Sequence, residues 1–139
     1  MIRTMSHATI YVLDLDRAKK FYTEKLGFEC RNDVTMDDMG GFRWLTVAAP
    51  NQTGLEIVLM PAAAGPTMDA DAASQLRGLI ERGLLGAGVF QTADCRKTYD
   101  ELTAKGVTFR SEPTERPYGI EAIFCDDSGN WFSLTQPRG

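Results

Sequence analysis

The chain repeats one pattern of secondary-structure signals twice, and this internal duplication constrains the fold more than any single residue. In each copy a short apolar run is followed by an aspartate, an amphipathic helical segment that ends at a glycine, and three further strand-like runs. The first copy covers residues 5–60 and the second covers residues 86–137. Duplication at this period predicts two β-α-β-β-β modules within a single domain of 139 residues.

Local patterns support the same element order. Ile10 and Val12 alternate with polar positions on the first strand, and Asp14 or Asp16 is placed to cap the helix that follows. Gly27 is a good candidate for the left-handed residue after that helix. Residues 61–85 have no counterpart in either copy and predict a linker that contains a helix. The segment 111–119, SEPTERPYG, is interrupted by proline and predicts a loop.

Composition narrows the range of partners. The net charge is −4 with a pI near 5, and lysine and arginine are spread along the chain, which argues against nucleic acid. The first residues lack a signal-peptide pattern, and no apolar run has the length of a membrane span. Three cysteines without metal spacing indicate reduced thiols in a cytoplasmic protein.

Two segments carry a family resemblance. The run SHATIYVLDLDRAKKFYTEKLGF and the closing run IEAIFCDDSGNWFSLTQ resemble the opening and the end of the vicinal oxygen chelate superfamily. That superfamily includes glyoxalase I, bleomycin-resistance proteins and extradiol dioxygenases. The resemblance implies an α+β fold whose two curved mixed sheets form a cleft, and it implies a homodimer. It does not imply one reaction, because this fold hosts unrelated chemistries.

The resemblance also implies where a metal would bind. Metal-using members hold a divalent ion with His, Gln or Glu from the first and fourth strands of both modules. Carried onto this chain, module one supplies His7 and Glu56, whereas module two supplies Ala87 and Ser133. Alanine cannot bind a metal, and serine is a poor ligand for these ions. We therefore expect either no metal cofactor or a divalent ion held by an incomplete set of ligands.

Strand alternation places further side chains beside these positions. Trp44 and Trp131 would form aromatic walls, and Arg116 with Tyr118 could reach a ligand from the proline-interrupted segment. Glu56 and Glu121 are the candidate catalytic carboxylates. The candidate ligand-binding residues are His7, Trp44, Thr46, Glu56, Gln91, Arg116, Tyr118, Glu121, Ile123, Trp131 and Ser133.

Two functions are compatible with this pattern. The first is binding of a small, partly aromatic or oxygenated molecule without the full metal site of the family. The alternative is a divalent-metal-dependent lyase, isomerase or dioxygenase, in which His7 and Glu56 bind the metal and Glu56 or Glu121 acts as ligand or base. Metal content separates the two functions.

Overall fold

A computed structural model describes all 139 residues, and it contains two four-stranded mixed sheets, one in each module. Module one consists of strands β1 (His7–Val12), β2 (Glu29–Met36), β3 (Phe42–Ala48) and β4 (Glu56–Pro61), with helix α1 (Leu15–Lys20) running on as a π-helical stretch over Phe21–Lys25. Module two consists of β5 (Gly86–Gln91), α3 (Cys95–Ala104), β6 (Thr108–Arg116), β7 (Gly119–Cys125) and β8 (Trp131–Pro137). Helix α2 (Ala70–Glu81) lies between them in the sequence. The chain divides into two compact units, Met1–Arg77 and Gly78–Gly139.

The two sheets have the same topology, which confirms the predicted α+β duplication. Strands are ordered β1-β4-β3-β2 in module one and β5-β8-β7-β6 in module two. In each sheet the first strand pairs in parallel with the fourth, and the other pairs are antiparallel. A parallel pair needs a crossover, and in each module the helix after the first strand begins that crossover. None of the helices is long and apolar enough to span a bilayer.

Aspartate caps fix where the helices begin. The Asp14 carboxylate accepts a hydrogen bond from the backbone N–H of Arg17 at 2.9 Å, and Asp94 accepts one from Lys97 at 3.0 Å. Asp14, and not Asp16, is therefore the cap of α1. The equivalence of the two caps also fixes the alignment of the modules, with an offset of 80 residues between β1 and β5.

The helix-facing side of each sheet forms the core. In module one the core includes Val12, Leu45, Val47 and Leu59, all fully buried. In module two it is a chain of aromatic rings that runs from α3 into the sheet. Successive ring centroids in this chain lie 4.6–5.6 Å apart, and its members are Tyr99, Phe109, Phe124, Phe132 and Phe90.

The prediction of a loop over residues 111–119 is wrong. Strand β6 continues to Arg116, and the turn to β7 is short. The strand tolerates Pro113 because β6 is an edge strand and because the pairing register shifts between Ser111 and Thr114. Proline has no backbone N–H to donate to a neighbouring strand, and such an irregularity does not require one.

A charge network ties α1 to β2 and β3 in module one. The Arg43 guanidinium donates two hydrogen bonds to Asp33, at 2.8 and 3.0 Å, and one to Asp16 at 2.7 Å. Lys19 donates to Asp33 at 2.8 Å. Arg43 first and Lys19 second hold the pKa of Asp33 far below its usual value of 3.8.

We predict that Asp33→Asn lowers the free energy of unfolding by about 1 kcal/mol at pH 7, because Arg43 and Lys19 lose their shared carboxylate. A depressed folded-state pKa gives stability that is fully present above the unfolded value of 3.8 and lost as the pH falls through the folded value. The difference between the two chains should therefore shrink from pH 5 towards pH 2. Urea unfolding at several pH values measures it. Asp38→Asn, which removes a carboxylate from the neighbouring turn, is the control, and a pH-independent difference would contradict the prediction.

Candidate functional site

The carboxylate of Glu56 lies at the centre of a polar cluster in module one. The hydroxyl of Thr46 donates a hydrogen bond to Glu56 Oε1 at 2.7 Å, and the Asn32 amide donates to the same oxygen at 3.2 Å. Asn32 also donates to the Thr46 hydroxyl oxygen at 3.0 Å. The nearest nitrogen of His7, Nε2, lies 3.7 Å from Oε1. Glu56 Oε2 accepts no hydrogen bond from the chain.

Strand pairing brings these residues together. His7 on β1 is the register partner of Glu56 on β4, and Thr46 on β3 is the partner of Asn32 on β2. Asn32 follows an irregularity in β2, where Arg31 is the extra residue. The guanidinium of Arg31 donates to backbone carbonyls of the loop between β3 and β4, so the irregularity is anchored. The carboxylate at the start of the apolar strand β4 is thus stabilised by neutral donors from β3 and β2.

An aromatic row runs beside this carboxylate. The ring of Trp44 lies 6.4 Å from that of Phe42 and 5.3 Å from the imidazole of His7, centroid to centroid. Phe42, Trp44 and Thr46 alternate on one face of β3, opposite the face of the buried Leu45 and Val47. The structure therefore brings together His7, Trp44, Thr46 and Glu56, as the sequence predicts. Asn32 is not among the predicted site residues. A polar side chain in the middle of a strand is the sequence signal that could have indicated it.

Glu121 forms the corresponding cluster in module two, and both of its oxygens are bonded. Tyr118 donates to Oε1 at 2.7 Å, and Ser133 donates to Oε2 at 2.6 Å. Arg116 lies 3.9 Å from Oε1 and is half exposed. The hydrogen bond from Ser133, then that from Tyr118, lowers the pKa of Glu121. The hydroxyl of Thr135, which the sequence did not indicate, shares a hydrogen bond with Ser133 at 2.7 Å.

The remaining candidates of module two lie in two different environments. Ile123 on β7 is the register partner of Ser133. Gln91 is exposed at the end of β5 beside Thr135, outside the hydrogen-bond network of Glu121. Arg43 binds Asp33 and Asp16, and Arg116 lies near Glu121, so neither arginine pairs with Glu56.

The pairing register of the strands shows which residue of module two corresponds to Glu56 of module one. Thr9 pairs with Val58 in module one, and its counterpart Val89 pairs with Ser133 in module two. Ser133 is therefore equivalent to Val58, and the counterpart of Glu56 is Trp131.

Trp131 occupies space that a glycine leaves open. A Cβ atom built on Gly86 would lie 2.6 Å from the indole of Trp131, so the ring rests directly over this residue. Gly86 is also the register partner of Trp131. Where module one places His7 beside Glu56, module two therefore places small residues beside an indole.

The residues present do not fit the divalent metal site of the family. Module one offers one imidazole and one carboxylate, and the carboxylate already accepts two hydrogen bonds. Ala87 and Trp131 at the equivalent positions of module two offer no ligand. No three His, Cys, Asp or Glu side chains of the chain are grouped in a way that could hold a metal ion. A catalytic site of this kind normally uses three protein ligands.

The chain belongs to the Glyoxalase/Bleomycin resistance protein/Dioxygenase superfamily, whose family model matches residues 4–134. It is similar to the uncharacterized protein YurT of Bacillus subtilis (strain 168), with 40% identity over 129 residues, 92% of this chain and 94% of the relative. The crystal structure of UcmS2 is 49% identical with a TM-score of 0.91, over 98% of this chain and 99% of that chain. The crystal structure of TnmS3, an antibiotic binding protein from Streptomyces sp. CB03234, is 30% identical with a TM-score of 0.75, over 99% and 98%.

Ser133→Ala should raise the pKa of Glu121, because it removes the largest stabilising contact of the ionised carboxylate. Tyr118→Phe should raise this pKa by a smaller amount. Titration of the Glu121 side-chain carboxyl by ¹³C NMR measures both shifts. A larger effect of Tyr118→Phe than of Ser133→Ala would contradict this geometry.

Gly86→Ala should destabilise the protein by about 1–3 kcal/mol, because the new methyl group overlaps the indole of Trp131 and must displace it. Gly88→Ala is the matched control on the same strand, since its Cβ would lie 3.8 Å from Phe132, an ordinary contact. Thermal unfolding and the emission wavelength of Trp131 in a Trp44→Phe background report the change. Equal stability of the two alanine variants would refute the packing.

Proposed function

We propose that this protein binds a small organic molecule of the antibiotic type and does so without a divalent metal. The observation that carries the proposal is the strand pairing at the duplicated position: His7 is paired with Glu56 in module one, whereas in module two Gly86 is paired with Trp131 and Ala87 offers no polar side chain. This set cannot chelate a metal as a catalytic site of the family does, but it offers an aromatic surface with a few fixed polar groups. Such a mixture is typical of sites for organic ligands.

The similarity to TnmS3 supports the same proposal. That protein is an antibiotic binding protein, and the similarity extends over nearly the whole length of both chains. In this proposal each module presents its own candidate ligand-binding residues. Those of module one are His7, Asn32, Trp44, Thr46 and Glu56, and those of module two are Gln91, Arg116, Tyr118, Glu121, Ile123, Trp131, Ser133 and Thr135. The homodimer and the cytoplasmic location that the sequence predicts are part of this proposal.

Tryptophan fluorescence gives a direct test, because the chain has two tryptophans and each module contains one of them. We expect at least one member of a panel of aromatic antibiotics to quench this emission with a Kd of about 1 µM or lower, equivalent to about 8 kcal/mol. The Kd should be the same before and after treatment with EDTA. The variants Trp44→Phe and Trp131→Phe, each with a single tryptophan, then report which face the compound contacts.

Two results would overturn the proposal. The first is the failure of every compound in the panel to bind the folded protein. The second is a stoichiometric transition metal in protein purified without chelator, together with loss of ligand binding when EDTA removes it. The second result would favour a metal-dependent lyase, isomerase or dioxygenase that uses His7 and Glu56.

A further inference from the structure

We propose that Glu56 selects ligands that carry a hydrogen-bond donor, a hydroxyl or protonated amine, on an aromatic ring, and that Oε2 is the accepting atom. This inference rests on the proposed function, and it names the ligand chemistry that module one recognises.

The two oxygens of Glu56 are in different states. Oε1 accepts hydrogen bonds from Thr46 and Asn32, which is the usual capacity of one carboxylate oxygen. Oε2 accepts none from the chain, and the side chain is 26% exposed. An oxygen with two open lone pairs at a partly exposed site can bind a donor from outside the protein.

Hydrogen bonds within the chain restrict the position of Oε2 before a ligand binds. Thr46 is fully buried and is itself held by Asn32, so the two donors clamp Oε1 from adjacent strands. Two hydrogen bonds to Oε1 restrict the orientations of the carboxylate, and with them the positions that Oε2 can take. An acceptor of this kind loses little side-chain freedom on binding.

The surroundings of Glu56 favour an aromatic ligand. His7 is close to both Trp44 and Glu56: its ring centroid is 5.3 Å from the indole centroid, and its Nε2 is 3.7 Å from Oε1. A planar ring that packs on Trp44 or His7 therefore carries its substituents close to the carboxylate. A carboxylate only accepts, so a ligand with a hydroxyl or ammonium group at this position gains a charge-assisted hydrogen bond, whereas a ligand carboxylate is repelled.

Glu121 shows why this role belongs to module one. Each of its oxygens accepts one hydrogen bond from the chain, Oε1 from Tyr118 and Oε2 from Ser133, so neither oxygen lacks a protein donor. The two carboxylates therefore differ in their hydrogen bonding: both oxygens of Glu121 have a donor within the chain, whereas Oε2 of Glu56 has none.

Three fluorescent probes that differ in one substituent test the inference: 1-hydroxypyrene, 1-methoxypyrene and 1-pyrenemethylamine. Energy transfer from tryptophan to pyrene measures the Kd of each. We expect the wild-type protein to bind the hydroxyl or the amine probe about tenfold or more tightly than the methoxy probe, which cannot donate. The better of the two donor probes identifies the donor type.

Glu56→Gln should reduce this ratio of Kd values to about one. The amide of the glutamine either points its N–H group at the donor of the ligand, or loses the hydrogen bond that Thr46 donates to position 56. Glu24→Gln removes the same charge from an exposed position of module one and should leave the ratio unchanged. Thermal unfolding confirms that each variant is folded, and the comparison of probes on the wild-type protein does not depend on any variant.

The inference fails if the wild-type protein binds the methoxy and donor probes equally, or if folded Glu56→Gln keeps the wild-type ratio. It also fails, with the proposed function intact, if the protein binds aromatic antibiotics from the panel but none of the pyrenes. Failure to bind either set removes the proposed function as well.

Discussion

The parallel pairing of the first strand with the fourth is the constraint on which the rest of each module depends. Because this register puts residue 7 beside residue 56, an imidazole and a carboxylate become neighbours although 48 residues separate them in the sequence. In module two a register shift between Gly86 and Gly88 puts Gly86, and not Ala87, beside Trp131. One topology thus yields a polar pair in one copy and an apolar surface in the other, and the side chains and this local shift decide which chemistry each copy can perform.

Neutral hydroxyl and amide donors, not cations, hold the two sheet carboxylates. Thr46 and Asn32 bind Glu56, and Ser133 with Tyr118 binds Glu121, while Arg116 is more distant. Neutral donors stabilise a partly buried carboxylate without cancelling its charge. The cationic side chains of module one are used elsewhere, in the network of Arg43 and Lys19 with Asp33. Module one therefore separates the charges that stabilise the fold from the carboxylate available to a ligand.

Much of the architecture could be predicted from the sequence because it depends on repeated local signals. The aspartate caps, the glycine helix ends and the strand alternation occur twice, and alternation alone placed Trp44, Thr46 and Glu56 on one face. Pairing register could not be predicted in this way. The irregularity at Arg31 that positions Asn32, and the offset that makes Trp131 the counterpart of Glu56, arise from contacts between strands distant in sequence. The loop predicted around Pro113 is wrong for a related reason. A proline ends a strand only where its backbone N–H would be needed for a hydrogen bond to the neighbouring strand, and that depends on the pairing.

The glycine under Trp131 has an evolutionary consequence. Restoring a chelating pair in module two requires a donor at position 87 and another at position 131, and the second change removes the indole. Without the ring, the surface of Gly86 loses its cover, so that replacement leaves the chain less well packed than the present protein. Packing over Gly86 therefore opposes the conversion of module two into a metal-binding module.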